Sequence, residues 1–203
     1  MSNIKNKSGE RTLLMSVLMS SPGPIVVGAG LFMGQSATQL ADFIRRTAEL
    51  MSIIISFVVY KVVHKKENFD PAKKQRLEHL ANYCVGIAMI FSGAIMILIA
   101  LLSTGSETGN VIPGLVIAML GVLANSIFFF KYGSLNRKNP DIILAAQSKL
   151  YGAKALVDIS VVTALIIVAI FPATELALYV DKIGSVIVAI YLIFTGIMTV
   201  KKK

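Results

Sequence analysis

Six long apolar runs leave this chain few ways to fold. They cover about residues 12–33, 36–63, 78–102, 111–130, 142–171 and 180–200. Each reaches the ~20 residues that carry a helix through the hydrocarbon core at 1.5 Å per residue. Only 15% of the residues are charged, against about 25% in an ordinary soluble domain. Inside a bilayer every backbone N–H and C=O must find a partner within the protein, which restricts spanning segments to helices and closed barrels. Runs of this length read as helices. The expected fold is therefore all-α: a polytopic membrane protein of six transmembrane helices, forming one domain over residues 1–203. Three lysines follow the last run, so no soluble carboxyl-terminal domain is expected.

The basic residues orient the bundle. Lys5, Lys7 and Arg11 precede run one, Lys65 to Arg76 follow run two, Arg137 and Lys138 follow run four, and Lys201 to Lys203 end the chain. The opposite connections hold almost no Lys or Arg, Lys182 excepted. The positive-inside rule places both termini in the cytoplasm, with a prokaryotic plasma membrane as the expected host. The net charge of +9 then reflects topology and anionic-lipid contact rather than nucleic-acid binding. Run one is too long, and lacks a cleavage site, for a removed signal peptide. Its Ser20-Ser-Pro-Gly-Pro24 removes two backbone donors and predicts a kink or break. Asn139-Pro-Asp141 reads as a helix start.

Two of the helices carry charge where lipid should be. On run two, Asp42, Arg45, Arg46 and Glu49 fall within roughly one 100° arc, each acid three or four residues from a base. A charge near the bilayer centre costs about 2.5–3.5 kcal/mol on insertion scales, so such groups face a partner or a cavity and mark function by default. On run five, Gln147, Tyr151, Lys154 and Asp158 share one face. The six charges comprise three acids and three bases, the balance that burial favours. Runs two and five are expected to face each other and pool them. Periodicity leaves open whether Lys154 and Asp158 pair with each other or across the interface with Glu49 and Arg45.

Other chemistry is excluded or plainer. Cys84 is the single cysteine, and His64 and His79 are the two histidines, so no disulfide framework and no His/Cys cluster of metal-ligand spacing exists. No Gly-rich phosphate loop or nucleophile elbow is present, and neither an enzyme nor a cofactor is expected. Phe128 to Phe130 with Tyr132 reads as an interfacial aromatic anchor. Gly86, Ser92, Gly93 and Ala94 are small residues that permit close helix approach.

Several of these segments, in this order, resemble the transmembrane domain of the cation diffusion facilitator family from about Arg11 to Val200. Ser36-Ala-Thr-Gln-Leu-Ala-Asp42 is similar to the family's entry to helix two. Asp70-Pro-Ala-Lys-Lys-Gln-Arg-Leu-Glu78 resembles its His-Pro-Tyr-Gly-His-Gly-Arg-x-Glu loop, keeping the Pro, Arg and Glu. Asn125 stands where helix four of the family often has Asn, and Asp181-Lys-Ile-Gly184 resembles the start of its helix six. The resemblance implies a six-helix exporter of divalent cations, with homodimerisation and a metal bound between helices two and five through a His/Asp-x-x-x-Asp pair on each.

Carried over, those pairs fall on Arg45 and Glu49 and on Lys154 and Asp158. Arg offers no lone pair, and a Lys beside a carboxylate prefers its charged form. No metal site is expected there, since only Glu49 and Asp158 remain as ligands. The sequence points to a secondary transporter of the same scaffold, moving a cation by alternating access, as proton-coupled efflux. A salt-bridged site takes the place of the usual zinc site: Asp42, Arg45, Glu49, Lys154 and Asp158 bind the substrate, with Arg46, Gln147, Tyr151 and Asn125 in support. Membrane lipid, a cation, protons and a second copy of the chain are the expected partners. The competing reading is a non-transporting scaffold or regulatory subunit that the same pairs lock.

Overall fold

The computed structural model describes residues 2–33, 37–65, 69–102, 112–170 and 175–201, and these are helical almost throughout, with no strand. The helices are α1 (Ser2–Ser20), α2 (Pro22–Met33), α3 (Ala37–Lys65), α4 (Pro71–Leu102), α5 (Ile112–Lys138), α6 (Ile142–Ile170) and α7 (Glu175–Val200). Segments of four of them, Phe43–Lys65, Pro71–Leu102, Ala118–Lys138 and Ile183–Val200, are long and apolar enough to cross a membrane. The other two predicted runs differ in kind. Run one is cut into α1 and α2, and the 12 residues of α2 rise only about 18 Å. Run five has ample length in the 29 residues of α6, whose polar stripe runs from Gln147 to Asp158.

The outward faces are apolar. Leu101, Phe130, Ile187 and Phe194 are each more than 60% exposed, together with many other Leu, Ile and Val side chains. A soluble bundle would bury such a surface, whereas lipid covers it without cost. The core lies instead where the helices meet, around Leu13, Ile53, Met89, Leu150, Tyr151 and Leu192. α4 packs along α7, α5 along α6, and α3 against α4.

Backbone chemistry accounts for the helix boundaries. Prolines 22 and 24 cannot donate, so the first helix breaks at Ser21, whose N–H and hydroxyl both bond to the Val17 carbonyl at 3.0 and 2.7 Å. The expected basic loop after run two is shorter than its sequence implied, since α3 continues to Lys65 and α4 already starts at Pro71. Asp70 caps α4 by accepting the Ala72 N–H at 3.0 Å, and Pro71 occupies the first turn, where its missing N–H costs nothing. Asp141 caps α6 through Oδ1, which accepts the N–H groups of Ile143 and Leu144 at 2.9 and 3.1 Å.

Close approach between α4 and α7 depends on glycine. A Cβ on Gly93 would lie 2.7 Å from the Ala189 carbonyl oxygen, and one on Gly196 would lie 2.7 Å from that of Gly86. The aromatic anchor needs correction. Phe128 and Tyr132 are buried, Tyr132 stacked on Tyr151 and Phe128 tilted against it, while Phe129 and Phe130 are exposed. The reason is polar: the Tyr132 hydroxyl finds Ser16 Oγ at 2.7 Å inside the bundle.

Candidate functional site

The charged face of α3 turns inward, where Glu49 is its hub. Its Oε1 accepts from Arg45 Nη1 at 3.2 Å, one helical turn earlier, and from Ser92 Oγ of α4 at 2.9 Å. Its Oε2 lies 3.7 Å from Lys154 Nζ of α6. Three helices thus supply two cations and a hydroxyl to one carboxylate whose side chain is 4% exposed. Lys154 also sits over the Tyr151 ring, 5.1 Å from its centroid, a face that attracts cations.

Asp158 forms the second half of the cluster. Its Oδ2 accepts from Asn125 Nδ2 of α5 at 2.6 Å, and its carboxyl group packs against Gly121, where a Cβ would stand 2.7 Å from Oδ2. The charges of Lys154, Arg46 and Arg45 all act on it. Glu49 and Asp158 therefore belong to one electrostatic unit, with Lys154 paired across the interface to α3. Asp42 lies on α3, and its side chain falls outside the described residues.

The broken first helix closes the cluster from another side. Ser20 Oγ meets the Tyr151 hydroxyl at 3.0 Å, and Gly23 lies beside the Arg46 side chain, whose Nη1 would be in ordinary contact, 3.6 Å, with a Cβ there. Toward the basic end, a file of polar groups continues down the same face of α3. Ser52 donates to the Glu49 carbonyl at 2.7 Å and Ser56 to the Ser52 carbonyl at 2.8 Å. Gln147 Nε2 of α6 donates to Ser56 Oγ at 2.9 Å. The Gln147 side chain is fully buried, and its Oε1 has no hydrogen-bond partner among the described residues.

Periodicity had pointed to the faces of α3 and α6 but not to what completes them. Ser92 read as a packing residue and is instead a ligand of Glu49. Its place beside Gly93, on a stripe that lets α4 approach closely, was the only signal in the sequence. Gly121 carried no signal, because the room it leaves is visible only once α5 and α6 are set side by side.

An apolar exterior around an inward-facing charge cluster defines an integral membrane bundle with an intramembrane polar site. Residues 13–203 match the family model described as the cation efflux transmembrane domain, and the chain belongs to that family of cation transporters. No curated protein matches the chain.

Proposed function

We propose that this protein is a secondary transporter that moves a cation by alternating access, and that Glu49 and Asp158 are the carboxylates on which the cation docks. One observation carries this reading: in a chain of the cation efflux family, the central carboxylate holds two cations of its own chain, Arg45 and Lys154. A substrate cation competes with those side chains for the same oxygens. In the conformation described here Arg45 and Lys154 occupy the site and seal it. Cargo or a proton arriving from one side displaces one of them, breaks the link between α3 and α6, and favours the other orientation. The helix break at Ser20 to Pro24, set against Arg46 and Tyr151, supports this reading, because interrupted helices at mid-membrane depth commonly border transport sites.

Under this proposal the chain crosses the membrane six times, with α1 and α2 together forming the first span and both termini in the cytoplasm. Two carboxylates flanked by cations suit a monovalent or organic cation better than zinc, which takes four N, S or O ligands.

The second reading, a locked scaffold without transport, draws on the same geometry, because Glu49 is already fully paired. Flux separates the two. Purified protein in liposomes, offered a panel of alkali, organic and divalent cations under a pH gradient, is expected to show saturable uptake of at least one cation that collapses with the gradient. Absence of flux for every cation, in protein that remains folded and inserted, contradicts transport and favours the scaffold.

A further inference from the structure

We propose that His64, Glu78 and Asp141 form a second cation site, selective for a first-row divalent metal, at the basic end of the bundle. The three residues come from the end of α3, the start of α4 and the start of α6, and their ligand atoms all lie within 4.8 Å of one another. Nothing in the sequence brings them together, since they are spread over 78 positions (141 − 64 + 1). The site lies about 22 Å along α3 from Glu49, at 1.5 Å per residue, so it is separate from the central cluster and stands or falls independently of it.

The hydrogen bonds of His64 fix how its ring is presented. Its Nδ1 lies 3.0 Å from the Tyr60 carbonyl oxygen. A carbonyl can only accept, so Nδ1 carries the proton. In the neutral ring Nε2 is then a lone pair, and it faces Asp141 Oδ2 at 3.4 Å. That nitrogen and the carboxylate oxygen can share a proton or, together with Glu78, hold a metal cation. A His that donates one N–H to a backbone carbonyl and offers the other nitrogen outward is also how metal-ligating imidazoles are oriented. The Tyr60 ring, stacked on the imidazole at 4.2 Å, further fixes its plane.

Asp141 is similarly divided between two tasks. Oδ1 is committed to capping α6, which anchors the side chain and leaves Oδ2 for a ligand. Glu78 brings the second carboxylate, 12% exposed, with Lys74 3.8 Å away. These groups line a cavity of about 460 Å³ with Asn139 and Pro140, roomy enough for a metal and the waters that complete its shell. One imidazole nitrogen and two carboxylate oxygens suit zinc, manganese or cobalt better than calcium or magnesium, which favour all-oxygen shells. Metal bonds of about 2.0–2.2 Å need the ligand atoms drawn closer than they stand, to roughly 3.3 Å. Glu78 supplies that movement by turning from Lys74, whose half-exposed ammonium is free to swing into water.

The competing occupant is a second proton on His64, which would give a plain imidazolium–carboxylate pair. The test uses the full chain in detergent, titrated with Zn²⁺ by calorimetry and with Co²⁺ by visible absorption. With only two histidines in the chain, ¹⁵N-imidazole shifts are assignable with one variant. Expected are one Zn²⁺ per chain displaced by chelator, a Co²⁺ d–d band, and a Zn²⁺-induced shift of His64 Nε2. His64→Gln should abolish all three. Glu78→Gln and Asp141→Asn should weaken Zn²⁺ by more than about tenfold, the loss that a single outer-shell partner already brings. Asn caps a helix as well as Asp, so Asp141→Asn tests ligation without removing the start of α6. Lys74→Gln should tighten binding, since it removes the cation competing for Glu78. His79→Gln, at the other histidine, should leave this binding unchanged. Overturning results are no Zn²⁺ binding by the wild type, or binding that Asp141→Asn and Glu78→Gln leave intact. A His64 ring protonated at both nitrogens and unmoved by Zn²⁺ would equally defeat the proposal.

Discussion

The two clusters along α3 differ in who supplies the cation. At the centre, Glu49 is surrounded by Arg45 and Lys154 of its own chain, and little of it meets solvent. At the basic end, His64, Glu78 and Asp141 face a cavity, and the nearest ammonium, Lys74, is 44% exposed. A charge far from water must bring its counter-charge with it, because desolvation costs several kcal/mol per ion. A charge beside water can leave that place open. The contrast teaches that carboxylates set at two depths along α3, though carried by different helices, are paired differently, and that exposure rather than residue type sets how.

This comparison breaks first at Glu49. Glu49→Ala strands Arg45 and Lys154 in a low-dielectric setting, a loss of about 3–5 kcal/mol when one partner of a buried pair is removed. The change should lower the thermal midpoint in detergent sharply, while Glu78→Ala at the other cluster should move it far less. Equal shifts would erase the distinction between the sites. The double change Arg45→Gln with Glu49→Gln should recover part of the loss, because removing both members of a pair is often near neutral while Lys154 still loses its Glu49 partner. Additive losses would show that the two side chains are not coupled.

A smaller effect is expected where the helices approach most closely. Gly93→Ala places a methyl against the Ala189 carbonyl, a backbone atom that cannot rotate away, and overpacking of this kind costs about 1–3 kcal/mol. Gly121→Ala meets only the tip of the Asp158 side chain. It should cost less stability, yet push Asp158 off Asn125 and change cation binding. A Gly121→Ala protein with unaltered binding would remove Asp158 from the site. Smallest of all, Lys74→Gln breaks a largely solvated pair and should change stability by no more than about 1 kcal/mol. A larger shift would mean that Lys74 is held as tightly as Lys154.

Much of the architecture was legible because membrane insertion writes itself into long apolar runs. The inward turn of α3 was legible too, since Asp42, Arg45, Arg46 and Glu49 cannot all face lipid. What escaped was anything that depends on distance between helices. Lys154 is four residues from Asp158 and 105 positions (154 − 49) from Glu49, yet its ion pair is to Glu49. Sequence spacing favoured neither choice, because helix periodicity gives the direction of a side chain and not what lies opposite. Ser92 and Gly121 were invisible for the same reason. The cluster at His64 was missed because its members lie on three helices whose ends meet only after α4 and α6 have packed against α3.

Transport through Glu49 is tested most directly by flux in liposomes with the paired variant Arg45→Gln and Glu49→Gln, whose fold is expected to survive. Expected are wild-type cation flux that saturates, and a double variant that inserts, stays folded at the assay temperature and carries none. Flux undiminished in the double variant would contradict the central claim that the cation docks on Glu49.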